Sequence, residues 1–299
     1  QWKFLKQYAN TRGIQIIGDI PLYMAMDSAD VWADRKLFLL EEDGSQQHVA
    51  GSPPDNFSEE GQKWGNPVYD YSYMEEHQFD WWRHRIEKNA ALYDVIRIDH
   101  FLGVVRYYTI PFQEKDCCNG KWNKGPGKKL TDVMEESAGD CRIIADNAGS
   151  AIAGSRKLLA RIGWPGSKIL MFAFDGNTGN ENLPHNFEEN NIVVYTGTHD
   201  NDTIVGYFRD KTEYELAYLY EYLNIGSKEE IPDALIRLAY SSIADVVIIP
   251  MQDVLQLGNE ARMNQPSTVG QNWKWRVGRD TLSEERRAWI RTIAAVYRR

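Results

Sequence analysis

Three short polar motifs, each placed directly after an apolar run, constrain the fold of this chain most. They are RIDH at residues 97–100, IIADN at 143–147 and THDND at 198–202. The runs that lead into them are rich in Val and Ile, which predicts short buried strands. In a barrel of parallel strands, residues at the carboxyl ends of several strands converge on one pocket. The motifs therefore predict a site that gathers carboxylates from three strands.

Strand-like and helix-like segments alternate along the chain. Strands are predicted at residues 14–18, 95–98, 142–145, 168–174, 192–196 and 244–249. Helices are predicted at residues 81–93, 130–136, 154–162, 216–223 and 282–298, the last with Ser283 as its N-cap. This alternation is typical of βαβ units, so we expect an α/β fold with a parallel sheet. Six strands are recognisable, whereas a closed (β/α)8 barrel has eight.

No linker, repeat or low-complexity tract divides the sequence, so we expect residues 1–299 to form a single domain. Segments rich in Gly, Pro, Ser or Asn are predicted as loop insertions, at about 47–66, 112–129 and 177–191. Long loops in a compact domain are usually either functional or disordered. The aromatic residues inside these loops, which favour a binding role, are Phe57, Trp64, Trp122 and Phe187.

The bulk properties argue against several classes of protein. The formal net charge is −9, which disfavours nucleic acid and anionic membranes as partners. No apolar run approaches the ~20 residues that a membrane-spanning helix needs. The three cysteines, Cys117, Cys118 and Cys141, lack metal-ligand spacing, so we expect reduced thiols and a cytoplasmic protein.

The sequence carries no motif for a metal or an organic cofactor. There is no His-x-x-x-His or Glu-x-x-His spacing, no phosphate loop and no dinucleotide fingerprint. The adjacent His199 and Asp200 could contribute to a metal site, but a role without metal is favoured. We therefore expect no metal and no cofactor, and the sequence predicts no particular oligomeric state.

Asp99 and Asp146 each have a structural and a functional interpretation. Asp99 either pairs with Arg97 or His100, or acts as a nucleophile at a strand end. Arg97 lies two positions earlier, so in a strand it points to the same side and keeps the carboxylate ionised. Asp146 either caps the next helix or acts as a general acid/base. For each carboxylate taken alone, the structural interpretation is the stronger one.

The polar segment 198–203 is harder to explain as a simple turn. It follows an apolar run and places an imidazole beside a carboxylate, His199 and Asp200. A turn does not require that pair, so a functional role is favoured. Three carboxylates in one pocket suit glycosidic bond chemistry, in which one attacks the sugar carbon, one moves protons and one holds hydroxyls.

Taken together, the motifs closely resemble the amylomaltases, also called 4-α-glucanotransferases or disproportionating enzymes, of the α-amylase superfamily. The resemblance covers nearly the whole chain. The matching segments are GDIPLY at 18–23, DSADVWA at 27–33, GSPPD at 51–55, GQKWGNP at 61–67, RIDHF at 97–101, FAFDG at 172–176, LPHN at 183–186, THDND at 198–202, PMQDVL at 250–255, ARMN at 261–264 and NWKWR at 272–276. The resemblance implies a (β/α)8 TIM barrel that acts on α-1,4-glucans and maltooligosaccharides without a cofactor.

The resemblance also implies a role for each matching residue. Asp99 falls on the nucleophile, Asp146 on the position of the acid/base, and Asp200 on the carboxylate that grips sugar hydroxyls. Arg97 falls on the arginine that supports the nucleophile, and His199 lies beside Asp200. The other substrate-binding positions are Asp19, Tyr23, Phe57, Gln62, Trp64, Asp175, His185 and Asn264.

The sequence departs from the family pattern in three places. The family has Ala-Glu-Asp where this chain has Ala145-Asp146-Asn147, so the acid/base is shorter and the next residue is neutral. Asn56 stands where the family usually has a tyrosine. Family members also carry the first barrel strands before the GDIPLY motif. We therefore expect an N-terminally incomplete barrel with an open edge.

The implied reaction is a retaining transfer of α-1,4-glucan segments. Asp99 forms a covalent glycosyl-enzyme, and the acid/base protonates the leaving sugar and then deprotonates the acceptor hydroxyl. Because Asp146 is short, we expect weak transfer. The alternative is a non-catalytic or decayed glucan-binding homologue. A hydrolytic amylase is a third possibility, which the transferase-like segment 54–67 disfavours.

Overall fold

The computed structural model describes residues 1–54, 58–147, 153–266 and 268–299. The described residues form two compact units, unit 1 (Gln1–Gly166) and unit 2 (Ser167–Arg299). Each unit has a hydrophobic core of its own.

The described elements are mixed α and β. The strands are β1 (Ile17–Ile20), β2 (His48–Ser52), β3 (Gln62–Pro67), β4 (Val95–Ile98), β5 (Arg106–Pro111), β6 (Lys121–Lys124), β7 (Arg142–Ala145), β8 (Gly166–Ile169), β9 (Ile192–Tyr195) and β10 (Val246–Ile248). The α-helices are α1 (Trp2–Asn10), α2 (Ala29–Ala33), α3 (Tyr71–Glu76), α4 (Asp80–Leu92), α5 (Leu102–Val105), α6 (Lys128–Ala138), α7 (Ala153–Ile162), α8 (Ile204–Arg209), α9 (Glu213–Leu223), α10 (Ile231–Ser241), α11 (Met251–Val254) and α12 (Glu284–Val296). The 3-10 helices are Arg35–Leu37, Cys117–Asn119, Leu170–Phe172, Pro184–Asn186, Lys228–Glu230 and Asn259–Ala261.

The first sheet of unit 1 is parallel, in the order β1-β4-β7. All four residues of β4 are buried, as expected for the middle strand of a covered parallel sheet. Helices α4 and α6 contact each other, and Trp82, Ile86 and Met134 are fully buried in the core of the unit. This sheet fixes the position of the RIDH and IIADN motifs, because each motif ends just beyond one of its strands.

The second sheet of unit 1 is antiparallel, in the order β3-β2-β5-β6. The prediction of loops at 47–66 and 112–129 is therefore wrong in part, since β2, β3 and β6 lie within these segments. The Gly-rich composition concealed the strands. A Cβ on Gly51 would lie 2.4 Å from the Gln62 carbonyl oxygen and 2.6 Å from Cδ1 of Ile110. A glycine is therefore needed here because neighbouring strands come close to its backbone, and not because the chain turns.

The sheet of unit 2 has the order β10-β9-β8, and β9 and β10 are parallel. Strand β9 is buried throughout. The core of this unit joins Leu170, Val194, Ile204, Leu219 and Leu235. Residues 177–191, all of them described, form no strand and only one 3-10 helix, as the sequence predicted.

All five predicted helices and five of the six predicted strands are present, and the strands at 95–98 and 142–145 have the predicted ends. The strand predicted at 168–174 is wrong in part, because β8 ends at Ile169 and Leu170–Phe172 forms a 3-10 helix. Strand β1 was predicted to stop at Gly18 but continues to Ile20. A Cβ on Gly18 would lie 2.1 Å from the Tyr93 ring, so this glycine also marks a close approach. Ser283 is confirmed as the N-cap of α12, where its hydroxyl accepts from the Arg286 N–H.

Helix α1 was not predicted from the sequence. It lacks a side-chain cap and has no buried residue. The search of the described residues for a helix long and apolar enough to cross a membrane found none.

Candidate active site

One guanidinium, that of Arg97, contacts three carboxylates in unit 1. Its Nη1 lies 2.5 Å from Oδ2 of Asp19 and 3.1 Å from Oδ1 of Asp99. Its Nη2 lies 2.8 Å from Oδ2 of Asp146. The Arg97 side chain is 7% exposed, whereas those of Asp19 and Asp99 are 33% and 38% exposed. A buried cation therefore holds a group of partly accessible carboxylates, which we call the Arg97 cluster (Asp19, Arg97, Asp99 and Asp146).

The register of the parallel sheet assembles the Arg97 cluster. Asp19 of β1 lies directly opposite Arg97 of β4. Asp99 and Asp146 each follow a strand by one residue, and their N–H groups donate to the carbonyls of Ile20 at 3.0 Å and Ile98 at 2.9 Å. These bonds continue the ladder past the strand ends. Because side chains alternate along a strand, residues 97 and 99 share one face.

His100 directly follows Asp99 and has a left-handed backbone, at φ +50°. Its Nε2 atom is buried and has no hydrogen-bond partner in the part of the chain that the structure describes. Burial lowers the pKa of the imidazole to about 4, although the charge of Asp146 opposes the shift. The ring is therefore neutral at pH 7.

Two predicted substrate-binding residues, Trp64 and Tyr23, lie next to His100, and a third, Gln62, contacts Trp64. The Trp64 ring meets the imidazole edge-on, with centroids 4.7 Å apart, and the Tyr23 ring lies 6.3 Å away. Trp64 Nε1 donates to Oε1 of Gln62 at 2.9 Å. Burial raises the pKa of the Tyr23 hydroxyl well above its usual value. The predicted residue Phe57 lies outside the described residues.

In unit 2, Asp200 is held from two sides. Asn264 Nδ2 donates to its Oδ1 at 2.6 Å, and His199 Nε2 lies 3.4 Å from the same oxygen. The backbone N–H of Asn264 donates to the His199 carbonyl at 3.0 Å. The Trp273 ring packs 5.2 Å from the imidazole of His199. The structure thus brings together three of the predicted residues: His199, Asp200 and Asn264.

Arg262 fixes the middle of the THDND motif, a role that the sequence analysis did not identify. Its Nη2 donates to the Asp200 carbonyl at 2.7 Å, and its Nη1 forms an ion pair with Asp202. Its Nε donates to the Asn264 carbonyl at 2.9 Å. Its place in the ARMN segment was the available signal, since that segment supplies Asn264.

Asp253 is a buried carboxyl that the sequence analysis also missed. It is 1% exposed and accepts from the Thr196 hydroxyl at 2.7 Å and from the Ile204 N–H at 2.8 Å. Burial raises its pKa from 3.8 to about 6, although both hydrogen bonds oppose the shift.

Asp175 and His185 form hydrogen bonds with residues outside the His199–Asp200–Asn264 group. Asp175 Oδ1 accepts from the Asn177 N–H at 2.9 Å. His185 Nδ1 lies 2.9 Å from the Tyr222 hydroxyl oxygen. Both residues are exposed. Within the described part of unit 2, neither has a hydrogen bond to another predicted site residue, so their role stays a prediction.

The described residues contain no cluster of three or more His, Cys, Asp or Glu side chains suited to a metal ion. The Arg97 cluster already contains a cation of its own. What this cluster can do chemically is to present an oriented carboxylate at Asp99 with a second carboxylate, Asp146, on the same guanidinium. That arrangement suits nucleophilic attack next to a proton-transfer group.

Comparison with known proteins identifies close relatives. The family model described as 4-alpha-glucanotransferase (Glyco_hydro_77) matches residues 1–281. A 4-alpha-glucanotransferase of Clostridium butyricum is 46% identical and covers 100% of this chain and 62% of its own length. One from Thermus thermophilus is 44% identical over 98% of this chain and 60% of its own length.

A solved structure is also similar. The amylomaltase from Streptococcus agalactiae in complex with acarbose matches with a TM-score of 0.93 and 41% identity. The match covers 100% of this chain and 60% of that one. The chain therefore spans less than two thirds of the length of these three relatives.

Proposed function

This chain belongs to the 4-alpha-glucanotransferase family, and from that premise we propose that it transfers α-1,4-glucan segments between maltooligosaccharides. The relatives carry the names 4-alpha-glucanotransferase and amylomaltase. The observation that supports the proposal most is the Arg97 cluster, in which one guanidinium orients carboxylates beyond the ends of neighbouring parallel strands. The proposal includes the (β/α)8 barrel expected from the sequence.

In the proposed reaction, Asp99 is the nucleophile. A carboxylate oxygen of Asp99 attacks the anomeric carbon, the glycosidic bond breaks, and the leaving sugar oxygen takes a proton from Asp146. The covalent glycosyl-enzyme then reacts with the 4-hydroxyl of an acceptor glucan, whose proton returns to Asp146. Arg97 orients Asp99, and two oppositely directed inversions retain the configuration of the sugar.

Asp200 is proposed to hold sugar hydroxyls. The contacts from Asn264 and His199 fix its Oδ1, which supports a preorganised acceptor for hydroxyl hydrogens. Trp64, which is partly exposed and contacts His100, is proposed to pack against the apolar face of a sugar. The buried Tyr23 ring and the buried Gln62 amide contact Trp64 and support it. Asp19, Asp175 and His185 are proposed as further substrate contacts.

A second candidate function, glucan binding with little turnover, is favoured by the surroundings of Asp146. Protonating a leaving sugar requires the carboxylic acid form, whereas the 2.8 Å ion pair with Arg97 requires the carboxylate form. Asp146 is also one methylene shorter than the glutamate of the family. A misplacement of about 1 Å costs on the order of 10²-fold in rate.

Replacing Asp146 with Glu tests both candidates. We expect glucose release from maltotriose to be slow in the unmodified chain, to rise about 10²-fold in Asp146→Glu, and to vanish in Asp99→Asn. Asp140→Glu, the same change at an exposed position, is the matched control and should leave the rate unchanged.

Calorimetric titration with maltoheptaose separates the outcomes. Binding without transfer in every variant would favour the second candidate. Equally fast transfer in the unmodified chain and in Asp146→Glu would refute the proposal that Asp146 is an acid/base whose short side chain limits the rate. Absence of both binding and transfer would refute the proposed function.

A further inference from the structure

The segment 196–204 of unit 2 carries His199, Asp200 and Asp202 between the end of β9 and the start of α8. Backbone hydrogen bonds join it to other parts of the described chain, from the N–H groups of Met171 and Asn264 to the carbonyls of Thr196 and His199, so side-chain contacts carry much of its positioning. Within it, the Asn201 side-chain oxygen accepts from the N–H and the hydroxyl of Thr198, at 2.8 and 2.9 Å. These bonds define a local turn but do not fix where the turn lies relative to β9 and α8.

Asp253 contacts both ends of this segment with one carboxyl group. Its Oδ2 accepts from the hydroxyl of Thr196, and its Oδ1 accepts from the N–H of Ile204. The two bonded residues are themselves fully buried. The carboxyl group therefore sets the separation between Thr196, which directly follows β9, and Ile204, the first residue of α8.

We propose that Asp253 is a positioning residue that holds the segment 196–204, and with it Asp200, in the conformation that grips sugar. This inference rests on the proposed function, because the gripping role of Asp200 is part of it. Arg262 and Asn264 fix the segment at its middle. Asp253 fixes the segment at its two ends. The two sets of contacts together restrict the conformation of the segment and hence the position of Asp200.

The chemistry of the site argues for positioning over packing. A buried carboxyl group is costly unless hydrogen bonds or a cation compensate it. In the described residues no Lys or Arg forms an ion pair with Asp253. An apolar residue would fill the space at lower cost, but it could not accept from two donors eight residues apart. The carboxyl group supplies that connection.

Local hydrogen exchange tests the proposal without requiring activity. In Asp253→Ala, the amides of residues 197–204 should exchange about tenfold faster, because the change removes both hydrogen bonds that hold the ends of the segment. Asp253→Asn keeps an acceptor for the Ile204 N–H and a polar partner for the Thr196 hydroxyl, so it should retain the protection of the unmodified chain.

Asn182→Ala is the matched control. Asn182 also accepts from a backbone N–H, that of Ile169, and donates to the Asn180 side chain, so this change also removes two hydrogen bonds in unit 2. It should leave the exchange of residues 197–204 unchanged. Equal acceleration in Asp253→Ala and Asn182→Ala, or none in Asp253→Ala, would overturn the proposal.

Titration with maltoheptaose then tests the link to Asp200. We expect Asp253→Ala to weaken binding about tenfold, and Asp253→Asn and Asn182→Ala to bind as the unmodified chain does. A loosened segment with unchanged affinity would refute the positioning role. If the unmodified chain does not bind maltoheptaose, the proposed function fails and with it the gripping role, whereas the exchange data still decide whether Asp253 holds the segment.

Discussion

Replacing Asp253 with Asn should remove a specific part of the pH dependence of stability. Burial of this carboxyl group raises its pKa from 3.8 to about 6, because the charged form loses its hydration. Among the residues that the structure describes, no cation forms an ion pair with it; Arg262 pairs with Asp202 and Arg286 with Asp233. The folded state therefore binds a proton at Asp253 more tightly than the unfolded state does.

The sign and size of the effect follow from proton linkage. A carboxyl group with a raised pKa contributes stability that is fully present below about pH 4 and is lost as the pH rises through about 6. A pKa difference of this size corresponds to roughly 3 kcal/mol of unfolding free energy. The unfolding free energy of the unmodified chain should therefore fall, relative to Asp253→Asn, by up to roughly 3 kcal/mol between pH 4 and pH 7.

Urea unfolding of both proteins at half-unit steps from pH 4 to pH 7.5 measures the difference. His100 has the opposite dependence, since burial lowers its pKa, but it is present in both proteins and cancels. The altered hydrogen bonds should shift the unfolding free energy of Asp253→Asn by the same amount at every pH, whereas titration of Asp253 should make the difference between the two proteins change with pH. Curves that stay parallel across the whole range would refute the reasoning, because they would show that Asp253 titrates alike in the folded and unfolded states.

The remaining predictions concern unit 1, with one control substitution in unit 2. The ring proton shifts of His100 in NMR spectra should stay constant from pH 7.5 to about 5, because its pKa is about 4; a midpoint near 6.5 would contradict the burial of the imidazole. Arg97→Met should lower the unfolding free energy by about 3 kcal/mol, since it leaves carboxylates without their cation. Arg83→Met, which breaks one exposed pair, should cost less than about 1 kcal/mol by the same urea assay; equal losses would refute the importance of the cluster. Gly166→Ala should cost about 1–3 kcal/mol, because its Cβ would lie 2.7 Å from a side-chain oxygen. Gly226→Ala meets only one atom, at 3.8 Å, and should be nearly neutral; an equal effect of both on the melting temperature would contradict the close approach.

The apolar runs predicted the strands that position Asp99 and Asp146. A buried parallel strand usually has a run of consecutive Val and Ile residues, which is visible in the local sequence. The shared face of Arg97 and Asp99 followed from strand alternation alone. The pairing of Arg97 with Asp19 could not be predicted in this way. It depends on the register between β1 and β4, which packing of the whole sheet decides.

Contacts between distant segments account for what the sequence analysis missed. Gly51 and Gly18 suggest turns when taken alone, whereas each marks a place where another part of the chain comes close. Asp253 lies at the end of an ordinary helical turn, and only its contacts with Thr196 and Ile204 distinguish it. The burial of the Asp253 carboxyl group without a paired cation in the described part of the chain depends on the folded structure around it. No local sequence pattern predicts it.

The long sequence separation within the Arg97 cluster has a consequence for biosynthesis. Asp19 precedes Arg97 by 78 residues, and the contact between His100 and Asp146 spans 46. At the usual rate of translation, about 5–20 residues per second, Arg97 is synthesised roughly 4–16 s after Asp19. Non-local pairings of this kind also form slowly. Helices α1–α4 precede Arg97 in the chain and can therefore form before the cluster exists. The ion pairs of Arg97 should form only once β1, β4 and β7 are in register.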